Sequence, residues 1–231
     1  MVDCSEQRLR AERMDATGLL LPEIERALSD LDRVNRALFG LGASQRTLLP
    51  RLLGGPVSQA LIDVGTGSGD VSDRLAHAAA RHGIDLRVIG VDRKLSHLLF
   101  GRLRGRLRLS VVAAAGALPF RQSSVDWSFS NLFFHHFTKR QNRHILDEMQ
   151  RVARRGSAVV DLRRTYFARV LSRVCLPLLL VGPVARYDGR MSTDQAWRWD
   201  DLISLTTEHP VIELRRRFPF RFSLVLGNRT R

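Results

Sequence analysis

The sequence has few cysteines, few lysines and no apolar run long enough to cross a membrane. Its two cysteines, Cys4 and Cys175, are far apart and belong to no Cys/His cluster, which argues against a disulfide framework and against a zinc site. The longest apolar stretch, at 174–185, is shorter than the ~20 residues of a membrane-spanning helix, and the amino-terminal residues are too polar for a signal peptide. We therefore expect a soluble, cytoplasmic protein without a metal site.

The large positive charge comes almost entirely from arginine. The chain carries a formal charge of +14, yet only Lys94 and Lys139 among its 37 basic residues are lysines. Such a charge usually suggests nucleic acid or an anionic membrane as a partner. The arginines are spread over nearly every segment, and the densest runs, at 102–108 and 215–217, alternate with apolar residues or lie in a strand-like pattern. Nucleic acid is therefore the less favoured partner.

The length and the apolar pattern predict one α/β domain with a helical cap. A chain of 231 residues can bury one sizeable core, and it contains no internal repeat. Apolar residues recur every three or four positions from 20 to 53, as in amphipathic helices, and a Gly-Gly-Pro sequence follows at 54–56. We expect residues 1–54 to form an N-terminal helical cap and residues 55–231 to form the α/β domain.

Strands and helices alternate through most of this domain. Predicted strands lie at 60–64, 86–92, 109–114, 125–131 and 158–161, and predicted helices at 71–81, 94–104 and 140–153. This alternation favours a parallel sheet covered by helices on both faces.

The last third of the chain departs from this alternation. Residues 164–191 form an apolar, proline-containing insertion, and 199–207 is predicted to be a helix. The two strands predicted at 211–214 and 220–226 are too close together for a parallel crossover and should pair antiparallel. The predicted fold is a doubly wound, mostly parallel seven-stranded sheet that ends in an antiparallel hairpin, whereas nicotinamide-binding folds usually stay parallel.

A glycine-rich turn joins the first predicted strand to its helix. Its sequence, Asp-Val-Gly-Thr-Gly-Ser-Gly-Asp at 63–70, lets the backbone turn sharply and approach a ligand closely. The spacing is GxGxG and resembles motif I of class I S-adenosylmethionine (SAM)-dependent methyltransferases, in which the loop passes under the amino acid and ribose parts of the cofactor. The alternative is a tight turn without a ligand. The resemblance implies these cofactor-binding residues: Asp63, Gly65, Thr66, Gly67, Gly69 and Asp70.

Two further positions extend the resemblance along the sheet edge. Asp92 ends the second predicted strand, where a carboxylate can accept hydrogen bonds from both ribose hydroxyls, and it matches the family's ribose-binding acid; its neighbour Arg93 is assigned to the same site. A helix N-cap is the alternative role for Asp92. The family's adenine-binding acid would fall at Ala114, so we expect backbone groups or apolar packing to hold adenine, with Ala115 and Gly116 as the contacts.

The segment after the fourth predicted strand carries the candidate catalytic residues. Asn131, expected to bind the cofactor, is followed by Leu-Phe-Phe and then by His135 and His136 at the carboxyl edge of the sheet. Either histidine can titrate near neutral pH and act as a general base, although a structural histidine is the alternative. Phe133 or Phe134 could face the sulfonium, or could simply pack under a helix.

Three short segments resemble a narrower, bacterial group related to the ubiquinone and menaquinone C-methyltransferases. These segments lie at 30–35, 161–164 and 187–192. Members of that group are often associated with aromatic polyketide or quinone pathways, a form of secondary metabolism. The resemblance implies methyl transfer from SAM to a small, largely apolar acceptor, aromatic and phenol- or quinone-like, with S-adenosylhomocysteine (SAH) as the product. The insertion at about 164–191 would then be a substrate lid.

Several alternatives remain open at this stage. The charge leaves an RNA or protein methyltransferase, although the Asn/Asp-Pro-Pro-aromatic tetrad of amino-group methylases is not present after Asn131. A noncatalytic SAM-binding protein is a second alternative, and a nicotinamide-dependent reductase fits the glycine spacing less well. The sequence does not decide between a monomer and a homodimer.

Overall fold

The structure is a computed structural model that describes residue 13 and residues 21–37, 40–179, 182–207 and 209–228. Over these ranges, seven strands form one sheet in the order β3-β2-β1-β4-β5-β7-β6. The strands are β1 (Ser58–Val64), β2 (Asp85–Asp92), β3 (Leu109–Val112), β4 (Val125–Asn131), β5 (Ala153–Leu162), β6 (Val211–Arg217) and β7 (Arg221–Gly227).

The directions of the strands confirm the predicted fold. Neighbouring strands from β3 to β5 are parallel, β7 is antiparallel to β5, and β6 is antiparallel to β7. The short connection between β6 and β7 allows only the antiparallel pairing. The chain therefore has the mostly parallel, hairpin-ended sheet that the sequence predicts.

Helices cover both faces of this sheet. They are α1 (Leu21–Ala37), α2 (Gly40–Leu53), α3 (Asp70–Ala80), α4 (Leu95–Leu103), α5 (Lys139–Val152), α6 (Tyr166–Leu178), α7 (Pro183–Gln195) and α8 (Trp199–Thr206). One apolar core lies between the sheet and α2 and α3, and a second lies between the sheet and α5 and α8. None of the helices that the structure describes is both long enough and apolar enough to cross a membrane.

Several strands differ in length from the prediction, and β5 and β3 are two of them. β5 begins at Ala153 and not at Ala158, because its polar start still pairs with β4 and the guanidinium of Arg154 binds Asp126 at 2.9 Å. β3 ends at Val112, and the next residues turn along the end of the sheet. Both differences arise from tertiary pairing, which a hydrophobic pattern does not report.

The segment at 164–191 folds as two helices that meet α1. The described part of this segment forms α6 and most of α7, and α7 packs against α1. Asp30 of α1 accepts a hydrogen bond of 2.7 Å from the backbone N–H of Gly182, at the start of α7. This contact places the N-terminal helix and the insertion together above the carboxyl ends of β1 and β4.

Candidate active site

A cavity of about 710 Å³ lies where the carboxyl ends of β1, β2 and β4 meet α1, α6 and α7. This volume falls within the roughly 300–1,000 Å³ of small-molecule sites. In open α/β sheets, ligands bind at this edge, where the strand order reverses between β1 and β4. The position of the cavity therefore follows from the topology of the sheet.

The glycine-rich loop forms one wall of the cavity. The backbone N–H groups of Gly65 and Thr66 both donate to the carbonyl of Val91, which fixes the loop across β2. A Cβ on Gly65 would lie 2.3 Å from the ring of Phe133, so a side chain cannot be accommodated there. Gly67 has a φ of +55°, and a Cβ there would meet no atom within 4 Å, which leaves open space beside the loop. This loop thus presents bare backbone to the cavity.

Asp63 lies at the base of the loop and is completely enclosed. Its carboxylate accepts a hydrogen bond of 2.6 Å from the hydroxyl of Thr66. Burial raises the pKa of Asp63 to about 6; hydrogen bonds from Thr66 and Ser72 oppose this rise, and the charge of Asp92 adds to it. A cation in the cavity would stabilise the ionised form of this carboxylate.

The carboxylate of Asp92 holds the glycine-rich loop in place and also lines the cavity. Its two carboxylate oxygens accept hydrogen bonds of 2.9 Å from the backbone N–H groups of Gly67 and Lys94. Burial opposes ionisation, but His97 and these two amides together hold the pKa of Asp92 below its ordinary value. Because each carboxylate oxygen has a second lone pair, Asp92 can anchor the loop and still accept bonds from a ligand.

A polar network connects the loop to α1. Asp32 of α1 accepts hydrogen bonds from Ser68 and from the guanidinium of Arg106, and Asp70 pairs with Arg74 at 2.8 Å. Burial, followed by the charge of Asp70, raises the pKa of Asp32. The network places two carboxylates, Asp32 and Asp70, on the cavity wall beside the loop.

The turn after β3 lines a further part of the cavity, and it is the turn at which the sequence predicts adenine contacts. Ala115 and Gly116 line the cavity, and so does Arg93 after β2. A hydrogen bond from the N–H of Ala117 to the carbonyl of Ala114 closes the turn. No acidic side chain stands in this described turn, at 113–117, so adenine would meet small side chains and backbone groups there.

His135 forms a buried pair with Asp161 at the end of β5. Its Nδ1 lies 2.7 Å from Oδ1 of Asp161, and its backbone N–H donates to Oδ2 of the same carboxylate. Although burial opposes ionisation, His135 and the backbone N–H of Leu162 keep the pKa of Asp161 low. The carboxylate fixes the ring of His135 on the cavity wall, next to the ring of His136 at 4.3 Å.

The remaining wall has apolar side chains from α1, α6 and α7 beside polar ones, which are Ser172, Asp188, Ser192 and Thr193. Ala27, Leu28, Leu31 and Val34 of α1, Leu176 of α6 and Ala185 of α7 line it. Phe133 also lines the cavity, whereas Phe134 is buried in the core beneath it. Arg221 of β7 adds a charged group to this side.

The structure brings the predicted site residues together. Of the thirteen, all of which it describes, only Gly69 does not line the cavity; it lies against Leu107 just before α3. Asn131 reaches the cavity at the end of β4, where its side chain accepts a hydrogen bond of 3.0 Å from Ser44 of α2. Among the residues that sequence reasoning missed are Arg221 on the cavity wall and Asp161, the partner of His135. The signal for Arg221 was an arginine within an otherwise apolar strand.

Comparison with protein families identifies the central part of the chain. Residues 62–160 match the model of a methyltransferase domain. This segment contains the glycine-rich loop, Asp92 and His135. No curated protein matches the chain.

Solved structures agree on the fold. A SAM-dependent methyltransferase from Aquifex aeolicus has a TM-score of 0.59 and 16% identity, with 90% of this chain and 98% of that chain covered. Magnesium protoporphyrin IX methyltransferase from Synechocystis PCC 6803 with bound SAH has a TM-score of 0.58 and 13% identity, with 94% and 91% covered. A SAM-dependent methyltransferase from Thermotoga maritima, a possible histamine N-methyltransferase, has a TM-score of 0.56 and 12% identity, with 89% and 100% covered.

At these identities the likeness shows the fold. With the domain match, it supports the predicted enzyme class, a SAM-dependent methyltransferase, and the predicted cofactor, SAM. The residues of the cavity fit that cofactor, because a bare glycine loop and two buried carboxylates, Asp63 and Asp92, face the same space.

Proposed function

We propose that this protein transfers the methyl group of SAM to a small, largely apolar acceptor of aromatic, phenol- or quinone-like structure. The observation that carries the proposal is a single cavity in which the glycine-rich loop, the His135–Asp161 pair and an apolar wall face one another. When bound, SAM supplies an electrophilic methyl group on a positively charged sulfur. The residues of the chain supply binding, orientation and proton transfer.

The loop side would hold the cofactor. Asp92 is ionised and retains lone pairs, which suits it to accept hydrogen bonds from the ribose hydroxyls. The buried carboxylate of Asp63 would pair with the ammonium group of the amino acid part, which offsets the cost of its ionisation. Ala115 and Gly116 would contact adenine, and Gly67 leaves room for the backbone of the loop to approach.

The helical side would hold the acceptor. Residues 1–54 as a cap and residues 164–191 as a lid would enclose it, since α1, α6 and α7 provide most of the apolar wall. Burial of apolar surface against Leu28, Leu31 and Leu176 favours an aromatic molecule over a strongly polar one. Exclusion of water from this side would strengthen every polar contact made within it.

The narrower relationship to the ubiquinone and menaquinone C-methyltransferase group is part of this proposal. Each of the three segments that carry the resemblance contributes to the cavity wall: Asp32 and Asn35 from 30–35, Leu162 from 161–164, and Asp188 from 187–192. Their convergence supports a shared acceptor site, and with it a role in aromatic secondary metabolism.

His135 would act as the general base for a hydroxyl acceptor. The carboxylate of Asp161 favours the tautomer with the proton on Nδ1, so that Nε2 carries the lone pair that takes the proton. This arrangement orients the imidazole and stabilises the positive charge that it gains. His136 packs against the rings of Phe133, His135 and Phe137.

Kinetic measurements on single variants test this role. His135→Ala should lower turnover by ~10²–10⁴-fold, the usual scale of general-base catalysis, and leave SAM affinity nearly unchanged. Most of the loss should be recovered with a phenol that is already ionised at the assay pH. His82→Ala is the control, because His82 is exposed in the turn after α3. Turnover within a few-fold of wild type for both His135→Ala and His136→Ala would contradict general-base catalysis.

A further inference from the structure

Arg221 is the most deeply buried cationic group on the cavity wall. It begins β7, opposite Leu162 of β5, and only 2% of its surface is exposed. Its Nε and Nη1 atoms are buried, and among the described residues they have no hydrogen-bond partner. Arginine is almost never fully buried unless it is paired. The Nε and Nη1 donors of this buried cation therefore lack acceptors.

The negative charge of Asp161 does not satisfy these donors. Asp161 attracts Arg221 electrostatically, but neither Nε nor Nη1 of Arg221 makes a hydrogen bond to it; its oxygens accept from His135 Nδ1, the His135 N–H and the Leu162 N–H. Burial lowers the pKa of Arg221 to about 10, so the guanidinium remains protonated at neutral pH. The cavity wall thus includes a protonated guanidinium, two of whose three nitrogens have no hydrogen-bond partner among the described residues, close to the His135–Asp161 pair.

We propose that Arg221 binds an anionic oxygen of the acceptor, either a carboxylate substituent or a phenolate. This inference rests on the proposed function and narrows it: the acceptor is an apolar aromatic molecule with one acidic group. A planar guanidinium matches a carboxylate with two parallel hydrogen bonds and holds its ligand in a fixed orientation. Placed beside His135, the acidic group would set which ring position faces the cofactor.

Binding of matched aromatic probes to the SAH complex tests the inference without any need for turnover. The carboxylate probe is 1-hydroxy-2-naphthoate, with its methyl ester as the neutral partner. The phenolate probe is 2,4-dinitro-1-naphthol, which is ionised at neutral pH, with its methyl ether as the neutral partner. Wild-type protein should bind at least one anionic probe about 10- to 100-fold more tightly than its neutral partner, and the pair that shows the preference identifies the acidic group.

Variants assign the preference to Arg221. Arg221→Met should remove the preference for the anion and leave the affinity for the neutral probe and for SAH nearly unchanged. Arg221→Lys keeps the charge without the planar fork and should retain a reduced preference, which covers the case in which Arg221→Met does not fold. Arg215→Met, which removes an exposed arginine from the neighbouring strand, should bind like wild type.

Three results would overturn the inference. Wild-type protein that binds both members of each pair equally would show that Arg221 only balances the charge of Asp161. An Arg221→Met protein that keeps the full preference would place the anion elsewhere. If SAH binds but none of the four aromatic probes does, the acceptor class in the proposed function is wrong, and the inference fails with it.

Discussion

Replacement of Asp63 by asparagine should make the stability of the free protein less sensitive to pH. Burial raises the pKa of Asp63 to about 6 from an ordinary value of 3.8. Because the folded-state pKa is the higher one, the protonated carboxyl favours folding below about pH 4, and this stability is lost as the pH rises through about 6. The shift corresponds to a loss on the order of 3 kcal/mol, which Asp63→Asn cannot undergo.

Urea unfolding between pH 4.5 and pH 7.5 measures this effect as a difference between variant and wild type. The variant should gain stability relative to wild type as the pH rises, by about 2 kcal/mol over this range. Asp147→Asn is the matched control, because Asp147 is exposed on α5, and its difference from wild type should not change with pH. If the difference in unfolding free energy between Asp63→Asn and wild type is also independent of pH, the raised pKa of Asp63 is refuted.

The same carboxyl should couple SAM binding to proton release. The positive amino group of SAM would favour the ionised form of Asp63, so binding near pH 6 should release about half a proton from this site. Calorimetric titration in buffers of different ionisation enthalpy measures that release. The Asp63→Asn variant should bind SAM more weakly and without this proton release.

Four further changes test other parts of the site. Asp92→Ala should weaken SAM binding by roughly 1–3 kcal/mol in a protein that remains folded, and unchanged affinity in a calorimetric titration would refute the ribose assignment. Gly67→Ala should reduce SAM affinity and should lower the free energy of unfolding by only about 1–2 kcal/mol, because the new Cβ meets no protein atom. Gly65→Ala should unfold more readily, because its Cβ would clash with Phe133. Thermal melts with and without SAM would show both effects. Leu176→Ser should abolish turnover and leave SAM affinity nearly intact, and an equal loss of both would mean that α6 is simply part of the core.

The sequence predicted most of the fold because the signals for it are local. Alternation of buried strands with amphipathic helices marked the parallel part, and the short connection at 218–220 required the antiparallel hairpin. The length of β5 was not predictable, since its first residues are polar and are ordered by β4 and by the Arg154–Asp126 ion pair. Within the predicted lid at 164–191, Leu180 and the side chain of Leu178 lie outside the described residues.

The cofactor side of the site was predictable and most of the acceptor side was not. Gly65, Gly67 and Asp92 follow consecutive strands whose carboxyl ends must meet at one edge, so their proximity follows from the topology. Arg221 reaches the same cavity only because β7 inserts between β5 and β6, and Asp161 becomes the partner of His135 only through the pairing of β4 with β5. These contacts depend on strand order, which no spacing in the sequence reports.

The destination of the methyl group tests the central claim most directly. Wild-type protein is incubated with SAM labelled in its methyl group and with a mixture of phenols, quinols, hydroxynaphthoates, protein and RNA, and the label is then located by mass spectrometry. The account predicts label in a small aromatic product, with SAH formed in equal amount, and loss of that label in the Asp92→Ala and His135→Ala variants. Label found only in protein or RNA, or SAM that binds and is never converted, would contradict it.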